Sequence, residues 1–139
     1  MKSKPEKIEQ CNLLMSAQKV FYDSIEKVYC PILKEDVIFN SDGFRHLLYE
    51  SNGKPRTVSE KIYKLTLLPL VIPVIKNAIG VDEERNIDIK YGRKINSKTK
   101  KGTAYALVAK VGRKDPVSVR VILIKVGDGK LTFRSVMKH

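Results

Sequence analysis

Between Asp88 and Asp115 the chain carries no acidic residue. Residues 89–139 hold only two acids, Asp115 and Asp128, against 14 Lys/Arg, whereas residues 1–88 balance 13 of each sign. The formal net charge of +12 over 139 residues therefore belongs entirely to the C-terminal part. An excess this local builds a positive field over one region of the surface, and such a field attracts polyanions by neutralising phosphates and releasing counterions. Nucleic acid is the partner this predicts. A surface that served solubility alone would mix its signs.

Cysteine and histidine are scarce. Cys11 and Cys30 have no redox or metal-ligand spacing and read as small buried hydrophobes of a reducing compartment. With His46 and His139 they do not make a zinc set, so no metal and no cofactor is expected. No long apolar run exists: Leu67 to Ile75 is too short for a bilayer and is interrupted by Pro69 and Pro73. The opening MKSKPEKIEQ mixes both charges with no apolar stretch behind it, which predicts a cytoplasmic protein without export signal or membrane contact. Glycine-rich phosphate loops, nucleophile elbows and HExxH are missing, and carboxylates cluster only at Asp82-Glu83-Glu84, which reads as a solvated loop. Enzymatic action on a phosphate backbone would then be metal-independent and would use His, Lys, Arg and Tyr.

What is present predicts one α+β domain over 1–139, with N-terminal helices packed on a four-stranded antiparallel β-meander. Residues 1–30 read as a long helix opened by a Ser3/Glu6 capping box, with Ile8, Cys11, Met15, Tyr22, Ile25 and Tyr29 at helical spacing. The Cys30-Pro31 step ends it. Residues 31–80 hold a short strand (32–39), a short helix carrying Phe44, Leu47 and Leu48, the turn SNGKPR, and a helix opened by Thr57/Glu60 and broken near Pro69. Residues 85–139 read as the basic antiparallel sheet, with strands near 85–91, 103–111, 117–126 and 130–138. Leu107, Ala109, Val119, Val121, Leu123, Leu131 and Phe133 share the core phase. The opposite phase carries Lys110, Arg120, Arg134 and Lys138, together with Ile122 and Val136.

His46 is the leading catalytic candidate, placed by helical spacing away from the core beside Arg45 and Tyr49, where it would be exposed and titrate near neutrality. Arg120, mid-strand on the basic phase, is a phosphate-clamp candidate, with Lys110 and Arg134 on the flanking strands. Tyr91, beside Lys90 and Arg93, could stack on a base or carry a proton, and Ser135 could bind phosphate. Arg45, Lys90, Arg93, Lys110 and Arg134 make up the expected nucleic-acid-binding set. Each has a plainer reading as ordinary surface or packing. The residues alone leave open an RNA-cleaving enzyme, a non-catalytic nucleic-acid-binding protein, and an interaction module docking through its long helix.

The stretches VIFNSDGFRHLLY (37–49), KLTLLPL (64–70), VSVRVILIK (117–125) and LTFRSVM (131–137) together resemble the barnase–EndoU–colicin–RelE superfamily of small nucleases, in its phage and mobile-element form. The resemblance implies N-terminal helices on a four-stranded antiparallel sheet. It also implies toxin-like, metal-free RNA hydrolase chemistry on the sheet face, and a possible inhibitor protein as partner. It would place His46 as an acid–base residue, and Arg120 and Ser135 on the third and fourth sheet strands.

Overall fold

The computed structural model describes residues 3–91 and 98–139. The first helix, α1 (Lys4–Ser24), opens as its sequence predicts, with the Glu6 amide donating to Ser3 Oγ. It stops six residues earlier than the apolar spacing suggests. Ile25 is extended and its amide closes back on the Tyr22 carbonyl. The following Lys27–Cys30 is strand β1, in which Val28 and Cys30 point inward with a period of two. Beta-branched Val28 and aromatic Tyr29 favour that state.

Strand β2 (Glu35–Ile38) pairs antiparallel with β1. Helix α2 (Ser41–Leu48) follows, capped by Asn40, whose side chain accepts from the Gly43 amide. Helix α3 (Val58–Leu67) opens on Thr57, a 3₁₀ turn spans Leu68–Leu70 where Pro69 removes a donor, and α4 (Val71–Asn77) completes the helical layer. Strands β3 (Val81–Tyr91), β4 (Lys98–Val111), β5 (Val117–Val126) and β6 (Leu131–Lys138) form the antiparallel meander.

The sheet is larger than the four-stranded meander of the sequence reading. It has six strands in the order β1-β2-β6-β5-β4-β3, and it is mixed because β2 runs parallel to β6. That parallel pair is short, joining only Val37 to Leu131 and Ile38 to Thr132. Beyond it the chain leaves the sheet through Phe39, and α2 continues alongside β6 in place of a strand.

One core lies between the helices and one sheet face. Val119, Val121, Leu123, Leu131 and Phe133 point into it from the sheet, and Leu47, Leu65, Leu68, Val71, Val74 and Ile75 from the helices. Tyr22, Phe39, Phe44 and Phe133 form an aromatic cluster with ring centroids 5.2–6.3 Å apart where α1, α2 and β6 meet. Val136, assigned by simple alternation to the open face, is fully buried instead. A bulge explains it: Leu123 pairs with Phe133 but Ile122 pairs with Ser135, so Arg134 is an extra residue and the phase of β6 reverses beyond it. Among the described residues no helix is long and apolar enough to cross a membrane.

Candidate functional site

Polar side chains from α2 and α3 gather at the β6 bulge. On one side Arg134 Nη1 donates to Asp42 Oδ2 at 2.9 Å. The same carboxylate oxygen stands 3.5 Å from His46 Nε2, one helical turn further along α2. Helix α2 can lie this close to β6 because Gly43 faces the strand. A methyl group there would sit 2.7 Å from the Phe133 carbonyl oxygen.

His46 is less exposed than helical spacing suggested. Only 13% of its side chain is accessible. The loop is tied back to α2 by Arg56, whose amide donates to the Leu48 carbonyl and whose Nε donates to the His46 carbonyl. Burial, followed by the positive charge of Arg134, lowers the His46 pKa below its ordinary 6.5. Asp42 opposes that shift, and Arg56 and Arg45 add to it. The ring is therefore mostly neutral at pH 7, a state that can accept a proton.

These groups line a cleft of about 690 Å³ between α2, the 49–53 loop and the open sheet face. Ile87, Ile89 and Ile124 give it an apolar floor, and Asp42, His46, Arg134, Arg45 and Tyr49 a polar wall. The Arg45 guanidinium stacks on the Tyr49 ring at 4.8 Å. A floor of flat hydrocarbon beside cations and an aromatic ring suits a base and its phosphate.

Arg120, expected as a phosphate clamp, is paired with acids of the same sheet. Its two terminal nitrogens bind Asp82 and Glu83, so the guanidinium is neutralised by two acids and is 17% accessible. Those acids are not a solvated loop but the start of β3. A bulge between Val81 and Glu83 breaks the alternation, which lets consecutive carboxylates turn to one side. Towards the start of β3 the intervening β4 presents the small Ala104 and Ala106 on this face, which leaves room for the Arg120 side chain to cross it.

Lys110 is exposed at the far end of β4, opposite Ser118. Lys110, Arg120 and Arg134 do share the open face of adjacent strands, as predicted, but acids occupy two of the three. Arg93 lies outside the described residues, as do the side chains of Lys90 and Tyr91. The backbone of those last two pairs with Thr99 and Lys98 at the end of β3.

On the other side of the bulge lies a residue that the sequence reading passed over. Lys64 of α3 is only 9% exposed. Its Nζ donates to the Val136 carbonyl at 2.7 Å and to Ser135 Oγ at 3.3 Å. The adjacent Tyr63 hydroxyl accepts the Lys138 amide at 2.7 Å. Side chains of α3 thus satisfy the outward-facing groups that β6 would otherwise present as a bare edge. Burial, with Arg56 adding repulsion and Glu60 opposing it, lowers the Lys64 pKa from 10.5 to about 8. A signal was available: Lys64 stands in helical phase with Leu67, Leu68 and Val71, all buried.

Among the described residues no three His, Cys, Asp or Glu side chains gather as a metal set. No family model matches the chain, and no curated protein and no solved structure matches it either.

Proposed function

We propose that this protein is a metal-independent, toxin-type ribonuclease that holds RNA across the open face of its sheet and cleaves it at the His46 cleft. One observation carries the reading. A neutral, half-buried histidine and an arginine converge on one carboxylate, at the wall of a cleft large enough for a nucleotide. In this reading His46 takes the proton of a ribose 2′-OH. The 2′-oxygen attacks phosphorus, the bond to the 5′-oxygen breaks, and that oxygen takes up a proton. The products are a 2′,3′-cyclic phosphate and a free 5′-hydroxyl. Arg134 and Arg45 stabilise the charge that builds on the phosphate oxygens, and Asp42 orients both His46 and Arg134. The surplus of Lys/Arg beyond residue 88 gathers the substrate, and the resemblance to the barnase–EndoU–colicin–RelE superfamily points the same way.

A second reading, a non-catalytic nucleic-acid-binding protein, is favoured by the ion pairs of Arg120. Acids satisfy a cation that catalysis could have used.

Incubation with mixed RNA in EDTA, beside His46→Ala, separates the two. Cleavage by the wild type alone, leaving cyclic phosphate ends, supports the ribonuclease. Salt-sensitive binding without cleavage moves the protein to the second reading, and neither binding nor cleavage overturns both.

A further inference from the structure

The reaction proposed above names a base but no acid for the leaving oxygen. We infer that Lys64 supplies that proton through the hydroxyl of Ser135. The inference rests on the ribonuclease reading and adds a residue to it.

Geometry comes first. Arg134 and Ser135 are consecutive residues of the β6 bulge. Asp42 and His46 approach the strand at Arg134, and Lys64 approaches it at Ser135. Base and proton source therefore meet the same two-residue feature from two different helices. Arg56 is near both: it is bonded to the His46 carbonyl and acts electrostatically on both side chains.

Charge comes second. The partners of the Lys64 ammonium are neutral, a carbonyl and a hydroxyl, and the acid that acts on it, Glu60, lies on its own helix. Carrying a buried positive charge on neutral partners is costly, so the group has a standing tendency to give up its proton. A substrate phosphate would offset that cost while bound.

The groups facing the pair are few. Lys64 meets Arg56 from the loop, Glu60 from its own helix, and Ser135 and Val136 from β6. His46 meets Asp42 and Arg45 from its own helix, Arg134 from β6 and Arg56 from the loop. Burial and this set leave His46 unprotonated and Lys64 protonated at neutral pH, the division of labour that base and acid require. In the step itself, Ser135 gives its hydroxyl proton to the departing 5′-oxygen and takes one from the Lys64 ammonium. Lys64 becomes a neutral amine as His46 becomes an imidazolium. Proton exchange with water restores both.

Lys64 does not touch the phosphate in this scheme, so it is a positioning and proton-supplying residue. Its test is a pH profile. Cleavage of a dinucleotide would be followed between about pH 5 and about pH 10 for the wild type, Lys64→Arg, Ser135→Ala and Ser135→Thr, with folding checked by circular dichroism. The wild-type kcat/KM should fall above about pH 8. Lys64→Arg should lose most of kcat and show no such alkaline limb, since a guanidinium keeps its proton and cannot pass it to Ser135. Ser135→Ala should lose about a hundredfold in kcat with little change in KM, and Ser135→Thr should retain most of the rate. A wild-type alkaline limb in folded Lys64→Arg, or full kcat in Ser135→Ala, overturns the inference. Should Lys64→Arg fail to fold, the serine pair decides alone. Absence of cleavage by the wild type overturns the ribonuclease reading and this inference together, whereas an active wild type with an indifferent Ser135→Ala overturns the inference only.

Discussion

The Tyr22 hydroxyl donates to the Asn40 carbonyl at 2.5 Å, so the first helix holds the residue that caps the second. Asn40 in turn starts the helix that bears Asp42 and His46. Tyr22→Phe should cost about 1 kcal/mol, because it leaves a part-buried carbonyl without its donor. Gly43→Ala should cost about 1–3 kcal/mol and push α2 off β6. The added carbon would meet the Tyr22 hydroxyl at 2.5 Å and the Phe133 carbonyl at 2.7 Å. Tyr22→Phe removes only the first of these clashes. Urea denaturation of the double variant should therefore show incomplete rescue, and recovery to the stability of Tyr22→Phe alone would disprove this packing account.

Arg120 should matter to the fold more than to RNA. Arg120→Met leaves two neighbouring carboxylates facing each other and should destabilise by about 1 kcal/mol. Its effect on RNA affinity should be smaller than that of Arg45→Ala. Asp82→Asn with Glu83→Gln frees the guanidinium on the open face and should tighten binding while steepening its salt dependence. Filter binding at several salt concentrations measures both. A large affinity loss in Arg120→Met would restore the arginine to the interface.

Lys64 should make stability rise with pH where most proteins lose it. Its folded pKa is lowered from 10.5 to about 8, so the unfolded chain binds more protons between those values. Stability from this group accordingly increases as pH climbs from about 8 towards 10.5, by up to roughly 3 kcal/mol. Tyr22 pulls the other way above pH 10. Burial, helped by the charges of Asp42 and Asp23, raises its pKa above the ordinary 10.0, and its contribution fades as the unfolded phenol ionises. Urea midpoints taken at about pH 8 and about pH 9.5, below the tyrosine range, should move upward for the wild type relative to Lys64→Met. Equal shifts in the two proteins would show that the buried amine does not titrate as described.

Local rules recovered what local chemistry controls. The capping residues Ser3 and Thr57, the break at Pro69 and the core phase of β5 follow from neighbours within a few residues. Strand β1 escaped because its apolar residues also fit a helical period, and only pairing with β2 decides between the two. The β2–β6 pairing escaped because two registered residues nearly a hundred positions apart leave no mark in either segment. The buried Val136 was misassigned because a bulge changes the phase without changing the sequence pattern. At the site, His46 and Arg134 were visible as residue types. Their common partner Asp42 was not, and Lys64 was hidden as one more cation in a basic protein. The ion pairs of Arg120 depend on two alanines in the strand between, a condition no motif would reveal.

The hydrogen bond between Arg134 and Asp42 spans 92 residues of chain. Synthesis runs from the N-terminus, so His46 and Asp42 are made long before the strand that completes their cleft. Until β6 docks beside β2, the half-formed site has no Arg134, no Ser135 and no floor from β5. For the ribonuclease proposed above, this order of assembly would keep the His46 cleft incomplete until the sheet closes.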